Sequence, residues 1–557
     1  TIACKQCGPK LRLKLKGKSV RTRSDRETID RAVELLKLGE PVSVKGVGGF
    51  HICSIAKPEA VNMVRASLGR QHKPFALMVK DCGKAREIVH VPTKEAKLLE
   101  SPQRPVVVLR KRNAEDFLEV SELDSLGIML PYTALHYLMF DFIDEPLVMT
   151  SCNFPGEPVM LNEGIGENSL THERKIINRC DDSVVKVIGG KELFLRRSRG
   201  YAPTPVPLPI DAVDTIAVGA ELNNTMCATK RRNCFLSQYV GDTSKAETAG
   251  FLRETVKKFV RLTRLKPKII ACDTHPGYYS AMLAKELVKK HKATLVPVQH
   301  HKAHVASVAA EHGLMDYAGI AMDGLGFGED ERAWGGEVFS VRGGIRFERV
   351  GHLEEQPQLC GDLATIYPKK MLFGILGRFL GENELFKLGL FPRGEAGLYL
   401  KALSEGFNVP KTTSSGRVLD AAAALLGFCE KRTYDGRPAM LLEAKATTPY
   451  ELEPAYILEE DGKILDTTHL FEYLYENLDK DKKRLAATVQ MYLARGLLGI
   501  AKNMRKPIVF SGGVAYNRMI SGHMLENGVL VNRDIPAGDG GICYGQAYLA
   551  NMLLKNL

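Results

Sequence analysis

Apolar and polar positions follow two rhythms along this chain, of period two and of period 3.6, and the switches between them mark its elements. Leu11, Leu13 and Leu15 alternate with Lys10, Arg12, Lys14 and Lys16, which predicts a strand through residues 10–20. Asp25 can cap a helix from Arg26 to Leu38, closed by Gly39. PVSVKGVGGFHICSIA (41–56) reads as strand, glycine-rich turn and strand, followed by a helix from Pro58 to Leu68. A buried-looking strand is centred on Leu147–Ser151. Farther on come a strand at Asp214–Ala220, another at Asn233–Gln238 and an amphipathic helix over 244–262. A strand from Lys268 ends in Asp273-Thr-His275, and ATLVPV (293–298) is a further strand. Small and apolar residues from Ala303 onward then favour helix. A strand at 317–322 ends in Asp323-Gly324-Leu-Gly326. Lys506–Ser511 leads into Gly512-Gly513, and Asp539-Gly-Gly precedes a closing helix.

Strands interleaved with helices place the chain in the α/β class. Ala202 to Ile210 holds four prolines in nine residues and predicts a stiff linker between two domains. Beyond it, strand-to-glycine turns near 216, 320 and 508 suggest two duplicated ribonuclease-H-like lobes with a nucleotide between them. A length of 557 residues with 45% apolar content supports several packed cores. The formal charge is +12, and the first 23 residues hold eight Lys/Arg and no acid. That balance favours anionic ligands. With one Trp and no Arg-rich tail it does not point to nucleic acid. The 12 cysteines do not form a disulfide-like framework. Neither a signal peptide nor an apolar run of 18 residues is visible, so the expectation is a cytoplasmic protein without a membrane role.

The richest stretch is VQHHKAHVASVAAEHG (298–313). On a helix His300 and His304 share one face about a turn apart, a spacing that suits two imidazoles on one metal. A polar helix start bonded to water or backbone has the same spacing. His301 points roughly 100° away, and His312 lies two turns beyond His304. Asp323 ahead of alternating glycines suits Mg²⁺ with a backbone phosphate cradle. Lys45, Arg70, Lys73, Arg179 and Arg197 fall at ends of expected strands, where open α/β sheets bind ligands. With Ser151 and Asn153 they would make a phosphate-rich pocket. Cys4-x-x-Cys7-Gly-Pro resembles one knuckle of a zinc ribbon. The sequence holds no second CxxC, so the partner knuckle is expected on a removed N-terminal segment, with bare thiols as the alternative.

These motifs resemble a known family. KGVGGFHICSIA, HKPFALM, TSCNFPGEP, INRCDDSVV and RRSRGYAP, in this order, look like the YrdC-type domain of the HypF carbamoyltransferases of [NiFe]-hydrogenase maturation. DTHPGYYS, VQHHKAHVASVAAEH, MDGLGFGED, AWGGE, SSGRVLDAAAALLG, GRPAMLLEA, SGGVAYN and GDGGICYGQA look like its C-terminal domain, which is related to the tRNA threonylcarbamoyl transferases. The resemblance implies a zinc-finger remnant (1–9), a YrdC-like open twisted α/β sheet domain (10–201), the linker (202–210) and a two-lobed domain of the actin/Hsp70/sugar kinase (ASKHA) type (211–557). Two positions depart from the family pattern: Leu68 stands where a lysine is usual, and Cys360 where a glycine is common.

The resemblance implies ATP-dependent formation of a carbamoyl-adenylate. Lys45, Arg70, Lys73, Ser151, Asn153, Arg179, Arg197 and Ser198 would hold nucleotide and carbamoyl donor. Transfer to the C-terminal Cys of HypE would follow in the second domain. There Asp323, Gly324, Gly326, Gly416, Asp420, Gly512, Gly513 and Asn517 would bind nucleotide, and His300, His304 and Asp539 a divalent metal, Fe or Zn. His301, His275 and Asp323 are the candidates for catalysis. ATP, Mg²⁺ and carbamoyl phosphate or carbamate complete the expected set, with Zn at Cys4 and Cys7 only if the missing knuckle is supplied. The family's N-terminal acylphosphatase-like domain is not seen here, so the donor is expected to be free carbamate, or carbamoyl phosphate handled with that piece in trans. Threonylcarbamoylation of tRNA, O-carbamoylation of a small alcohol and a nucleotide-gated clamp or scaffold stand as alternatives.

Overall fold

The computed structural model describes residues 8–162, 164–459 and 462–555. Cys4 and Cys7 lie outside them. The chain divides into two compact units: the residues up to Thr204 with Ser237–Leu252, and Pro205–Leu236 with Arg253 onward.

The first unit is built on β1 (Leu11–Leu15), β2 (Lys18–Val20), β3 (Val42–Lys45), β4 (Phe50–Ile55), β5 (Ala76–Met78), β6 (Val106–Arg110), β7 (Ser125–Met129), β8 (Leu147–Ser151), β9 (Ser169–His172), β10 (Val184–Ile188) and β11 (Lys191–Arg196). They form one mixed sheet in the order β11-β10-β6-β7-β5-β8-β4-β3-β9-β1-β2. Helix Asp25–Lys37 buries Ile29, Ala32, Val33 and Leu36, an i, i+3, i+4, i+7 stripe, in the same core as Leu13, Val42, Val44 and Leu147. Two expectations are corrected here. The strand over 10–20 is a hairpin, turned at Lys16 and Gly17, both at positive φ; period-two alternation runs unbroken through a two-residue turn and hides it. The helix cap is Ser24, whose hydroxyl accepts the Glu27 N–H at 3.2 Å. Asp25 instead accepts the Leu11 N–H at 3.1 Å.

The proline-rich stretch is also corrected. Val206–Ala217 is one strand, paired antiparallel with Cys227–Leu236 from Val206↔Cys234 onward. Its parallel neighbour Ile269–Asp273 pairs only with Thr215–Ala217, so Pro207 and Pro209 sit where the strand has one partner and a missing N–H is tolerated. Residues 237–252, expected in the second domain, pack with the first: the Arg196 guanidinium lies 4.2 Å from the Tyr239 ring centre, and Thr248 Oγ1 donates to the Gly156 carbonyl at 2.7 Å.

The second unit repeats one motif. The hairpin Val206–Ala217/Cys227–Leu236 is extended by parallel strands Ile269–Asp273 and Thr294–Val298. The hairpin Tyr317–Phe327/Ala333–Arg342 is extended by the parallel strand Ile508–Ser511, and on its other side by Arg346–Leu353. Two hairpin-plus-parallel-strand sheets make the two-lobed fold expected. Helix His300–His312 joins both cores. Its Ala303, Ala306 and Ala310 pack with Tyr544 and Ala547 of the closing helix Ile542–Lys555. Its Val305, Val308 and Ala309 pack with Tyr317, Phe339 and Val509. No helix among the described residues is long and apolar enough to cross a membrane.

Candidate functional site

Helix His300–His312 starts at Gln299, whose side chain accepts the Lys302 N–H at 2.9 Å, and ends at Gly313 in the left-handed region. Its first turn therefore meets the ends of strands from both lobes. His300 and His304 are each 1% exposed. Strand Tyr317–Phe327 brings Asp323, whose Oδ2 lies 3.2 Å from His300 Nε2 and 3.5 Å from His304 Nε2. The short 3₁₀ turn Asp539–Gly541 brings Asp539, whose Oδ1 lies 3.6 and 3.7 Å from the same two nitrogens. One ligand atom from each of the four residues falls within 4.8 Å of every other.

The set fits a cation. His304 Nε2 is buried and has no hydrogen-bond partner among the described residues; its two nearest carboxylates lie beyond good hydrogen-bonding distance. Two imidazoles and two carboxylates around one point are a donor set for Zn²⁺ or Fe²⁺. Burial disfavours charge on His300, but Asp273, Asp323 and Asp539 together raise its pKa well above the ordinary value. A bound cation would replace that proton.

Asp323 is therefore a fourth ligand candidate beside the expected three. It does not end a strand: the strand runs on to Phe327 with a register shift between Met322 and Gly326, and Asp323 sits in that bulge. The Gly512-Gly513 turn serves this carboxylate: the Gly513 N–H donates to Asp323 Oδ1 at 2.9 Å. Gly512 has φ +107°, and a side chain there would collide with the Met322 carbonyl. Gly326 is occupied with the histidines: a Cβ on it would stand 2.5 Å from His301 Cε1 and 2.8 Å from His300 Cδ2. Gly416 packs onto Gly324, where a Cβ would lie 2.9 Å from the Gly324 Cα. Asp420 is buried beside the Arg417 guanidinium at 2.8 Å. Asn517, expected to bind nucleotide, caps helix Arg518–Glu526 by accepting the Ile520 N–H at 3.0 Å, and donates to Gln490 Oε1 at 2.7 Å.

His301 and His275 part company. His301 is fully buried, with Nδ1 3.1 Å from Gln299 Nε2, and burial pushes its pKa down to about 3. Its surroundings are those of a packed ring, and its expected part in proton transfer stays an expectation. His275 is half-buried, stacked at 4.1 Å on Tyr278, and its Nδ1 accepts the Gly277 N–H at 3.1 Å. When neutral, the ring therefore carries its hydrogen on Nε2.

In the first unit, strand ends and loops gather a second cluster. Arg70 donates to the Asn153 carbonyl at 2.9 Å, to Asn153 Oδ1, and to Thr150 Oγ1 at 3.3 Å. Ser151 Oγ donates to Asp181 Oδ1 at 2.6 Å, and Arg196 Nη1 lies 4.0 Å from the same oxygen. Lys73 is exposed on the loop after Arg70, and Arg65 ties that loop by donating to the Arg70 and Lys73 carbonyls at 3.0 and 3.1 Å. Lys45 donates to the His172 carbonyl at 3.0 Å, and Arg179 lies 5.0 Å from the Phe251 ring centre. Two expected members lie in the packing instead. Arg197 is 4% exposed and donates to the Thr204 carbonyl at 2.9 Å. Ser198 is fully buried, its hydroxyl 3.3 Å from Cys180 Sγ and 3.4 Å from the Tyr239 N–H. Arg196, passed over in the sequence, is the arginine of this pair that lies near Asp181.

Family models match in three stretches: 34–198 to the Sua5/YciO/YrdC model, described as telomere recombination; 211–311 to the HypF Kae1-like domain; and 319–546 to the second subdomain of the carbamoyltransferase Kae1-like domain. The chain is 41% identical to the probable carbamoyltransferase HypF of Methanocaldococcus jannaschii, over 97% of its own length and 74% of that protein's. It belongs to the HypF carbamoyltransferase family. Against HypF of Rhizobium leguminosarum the identity is 36%, over 94% and 71% of the two chains. A crystal structure of full-length HypF, described as phosphate- and nucleotide-bound, superposes with a TM-score of 0.93 at 34% identity, covering 100% of this chain and 75% of that one. HypF of T. kodakarensis superposes at 0.92, also at 34% identity. The chain is thus a transferase with a YrdC-like and a Kae1-like domain, which sets aside the clamp or scaffold reading.

Proposed function

We propose that this HypF chain makes a carbamoyl-adenylate from ATP and a carbamoyl donor in its first unit and passes the carbamoyl group to a partner's cysteine in its second. That cysteine would be the C-terminal one of HypE, on the route to the cyanide ligand of the [NiFe] centre. The observation that carries the reading is the four-donor cluster of His300, His304, Asp323 and Asp539, with its orphaned His304 Nε2, in a chain that also holds the arginine-rich cluster of the YrdC-like unit.

In the first unit Arg70, Arg196 and Lys73 present positive charge where triphosphate charge shifts toward pyrophosphate. Asp181 holds Ser151 and Arg196 in place through the contacts described above. A carbamate oxygen attacks the α-phosphorus, the bond to pyrophosphate breaks, and pyrophosphate leaves; carbamoyl phosphate would first lose its phosphate to water to give that carbamate. In the second unit the partner's thiolate attacks the carbamoyl carbon, a C–S bond forms, and AMP departs with the C–O bond electrons. A divalent cation, Fe or Zn, held by His300, His304, Asp323 and Asp539, would supply Lewis acidity toward the carbonyl or the adenylate phosphate. Neutral His275, whose Nδ1 accepts the Gly277 N–H, would offer its Nε2–H as a donor to a carbamoyl or phosphate oxygen, and the partner's thiol would lose its proton to solvent. Mg²⁺ would travel with ATP.

ATP–pyrophosphate exchange by the full chain, with carbamoyl phosphate or carbamate as donor, tests the first step. Donor-dependent exchange is expected. Its absence with both donors contradicts the reading.

A further inference from the structure

The strand Ile269–Asp273 ends beside the first turn of helix His300–His312, and its last residue has no part in the chemistry described so far. Asp273 has a fully buried side chain, and its Oδ2 lies 2.7 Å from His300 Nδ1, the ring nitrogen facing away from the ligand cluster. Its other oxygen, Oδ1, accepts the His275 N–H at 3.1 Å. Each oxygen of one buried carboxylate thus has its own task.

We propose that Asp273 is a positioning residue that fixes His300 for metal binding and locks the His275 loop to the same point. The inference rests on the reading of the four donors as a metal site. The imidazole has two nitrogens and, when neutral, one hydrogen. With that hydrogen on Nδ1, donated to Asp273, the Nε2 lone pair is turned toward Asp323 and Asp539. With it on Nε2, the ring cannot bind a cation there. A carboxylate behind a ligating histidine also raises the ring's basicity, and losing such a partner typically weakens metal binding about 10–100-fold. His304 Nε2 faces the same cluster. The site therefore leans on Asp273 to hold one of its two imidazoles in the binding tautomer. The same carboxylate anchors the turn on which His275 stacks against Tyr278, so that imidazole and the metal ligand share one support.

The test is the affinity of the full chain for Zn²⁺ and for Fe²⁺, measured by competition with a chromogenic chelator, for the native protein, Asp273→Asn and Asp273→Glu. Asp273→Asn is expected to bind about 10-fold more weakly or worse, with Asp273→Glu recovering part of the loss. Excess metal should restore carbamoyl transfer to Asp273→Asn, which a merely misfolded protein would not allow. ATP–pyrophosphate exchange, read on the same samples, should stay native and reports that the first unit is folded. Native affinity in Asp273→Asn overturns the proposal, as does loss in both variants that excess metal does not rescue. If the native chain binds neither ion, the metal reading itself fails, and that result is distinct from the first.

Discussion

Two neighbouring arginines show how much turns on one residue. Arg196 points its guanidinium at Asp181 beside Ser151, whereas Arg197 is buried on the Thr204 carbonyl. Arg196→Ala should therefore lower the rate of ATP–pyrophosphate exchange by about 10²-fold, the scale of one lost charge-stabilising donor, with the unfolding transition near native. Arg197→Ala should chiefly lower stability, because it removes a buried side chain together with its hydrogen bond to the Thr204 carbonyl. Steady-state exchange and denaturant unfolding of both variants check this; the reverse pattern would restore the assignment made from sequence. His136 offers a pH test. It is 1% exposed, neither ring nitrogen has a hydrogen-bond partner among the described residues, and burial pushes its pKa from 6.5 down to about 3. Its folded pKa is depressed, so the neutral form is the folded form. The stability it allows is complete above pH 6.5 and is lost as the pH falls toward 3. Between pH 8 and pH 5 this group alone should cost about 2 kcal/mol, and His136→Leu should flatten the slope by that amount in denaturant titrations at the two pH values.

At the scale of elements, much of the molecule could be read from the chain, and the failures have physical causes. The helix carrying His300 and His304 was legible because its small residues serve two cores at once. The glycines were seen, but not the contacts they make. In sequence, Asp-Gly-x-Gly after an apolar run looks like a phosphate cradle. In the fold, Gly326 makes room for two imidazole rings and Gly513 gives its N–H to Asp323, so both serve the donor cluster. Asp323 was read as a strand-end Mg²⁺ and nucleotide residue, because a bulge inside a hairpin has the same sequence pattern as a strand end. Asp273 and Asp181 stood in plain view in DTHPG and RCDDS, but which neighbour a strand-end carboxylate meets is decided by long-range packing. Arg196 and Arg197 could not be separated without the register of β11. Proline content suggested a linker where an edge position tolerates prolines in a strand. Gly326→Ala follows from this scale: overpacking should cost about 1–3 kcal/mol, and displacement of both rings should weaken Zn²⁺ binding, while ATP–pyrophosphate exchange stays native. Unchanged zinc affinity would contradict the close approach of this strand to the histidines.

At the scale of the whole molecule, one chain of the HypF family carries two sites built by different means. The YrdC-like unit gathers arginines, a serine and an aspartate from strand ends and adjoining loops of a mixed sheet. The Kae1-like unit brings four candidate ligand residues from three separate elements together at one helix turn. Such sites should be separable by mutation, since losing a metal ligand touches only the second. His304→Ala is the cleanest cut, because its Nε2 is the atom with no partner to lose. The most direct test is the intact mass of HypE after incubation with the full chain, ATP and a carbamoyl donor, read beside ATP–pyrophosphate exchange for the native protein and His304→Ala. The account predicts that the native chain adds one carbamoyl group to the C-terminal cysteine, and that His304→Ala adds none while its exchange continues at the native rate. Carbamoylation by His304→Ala at the native rate, or loss of both activities together in a folded variant, would contradict it.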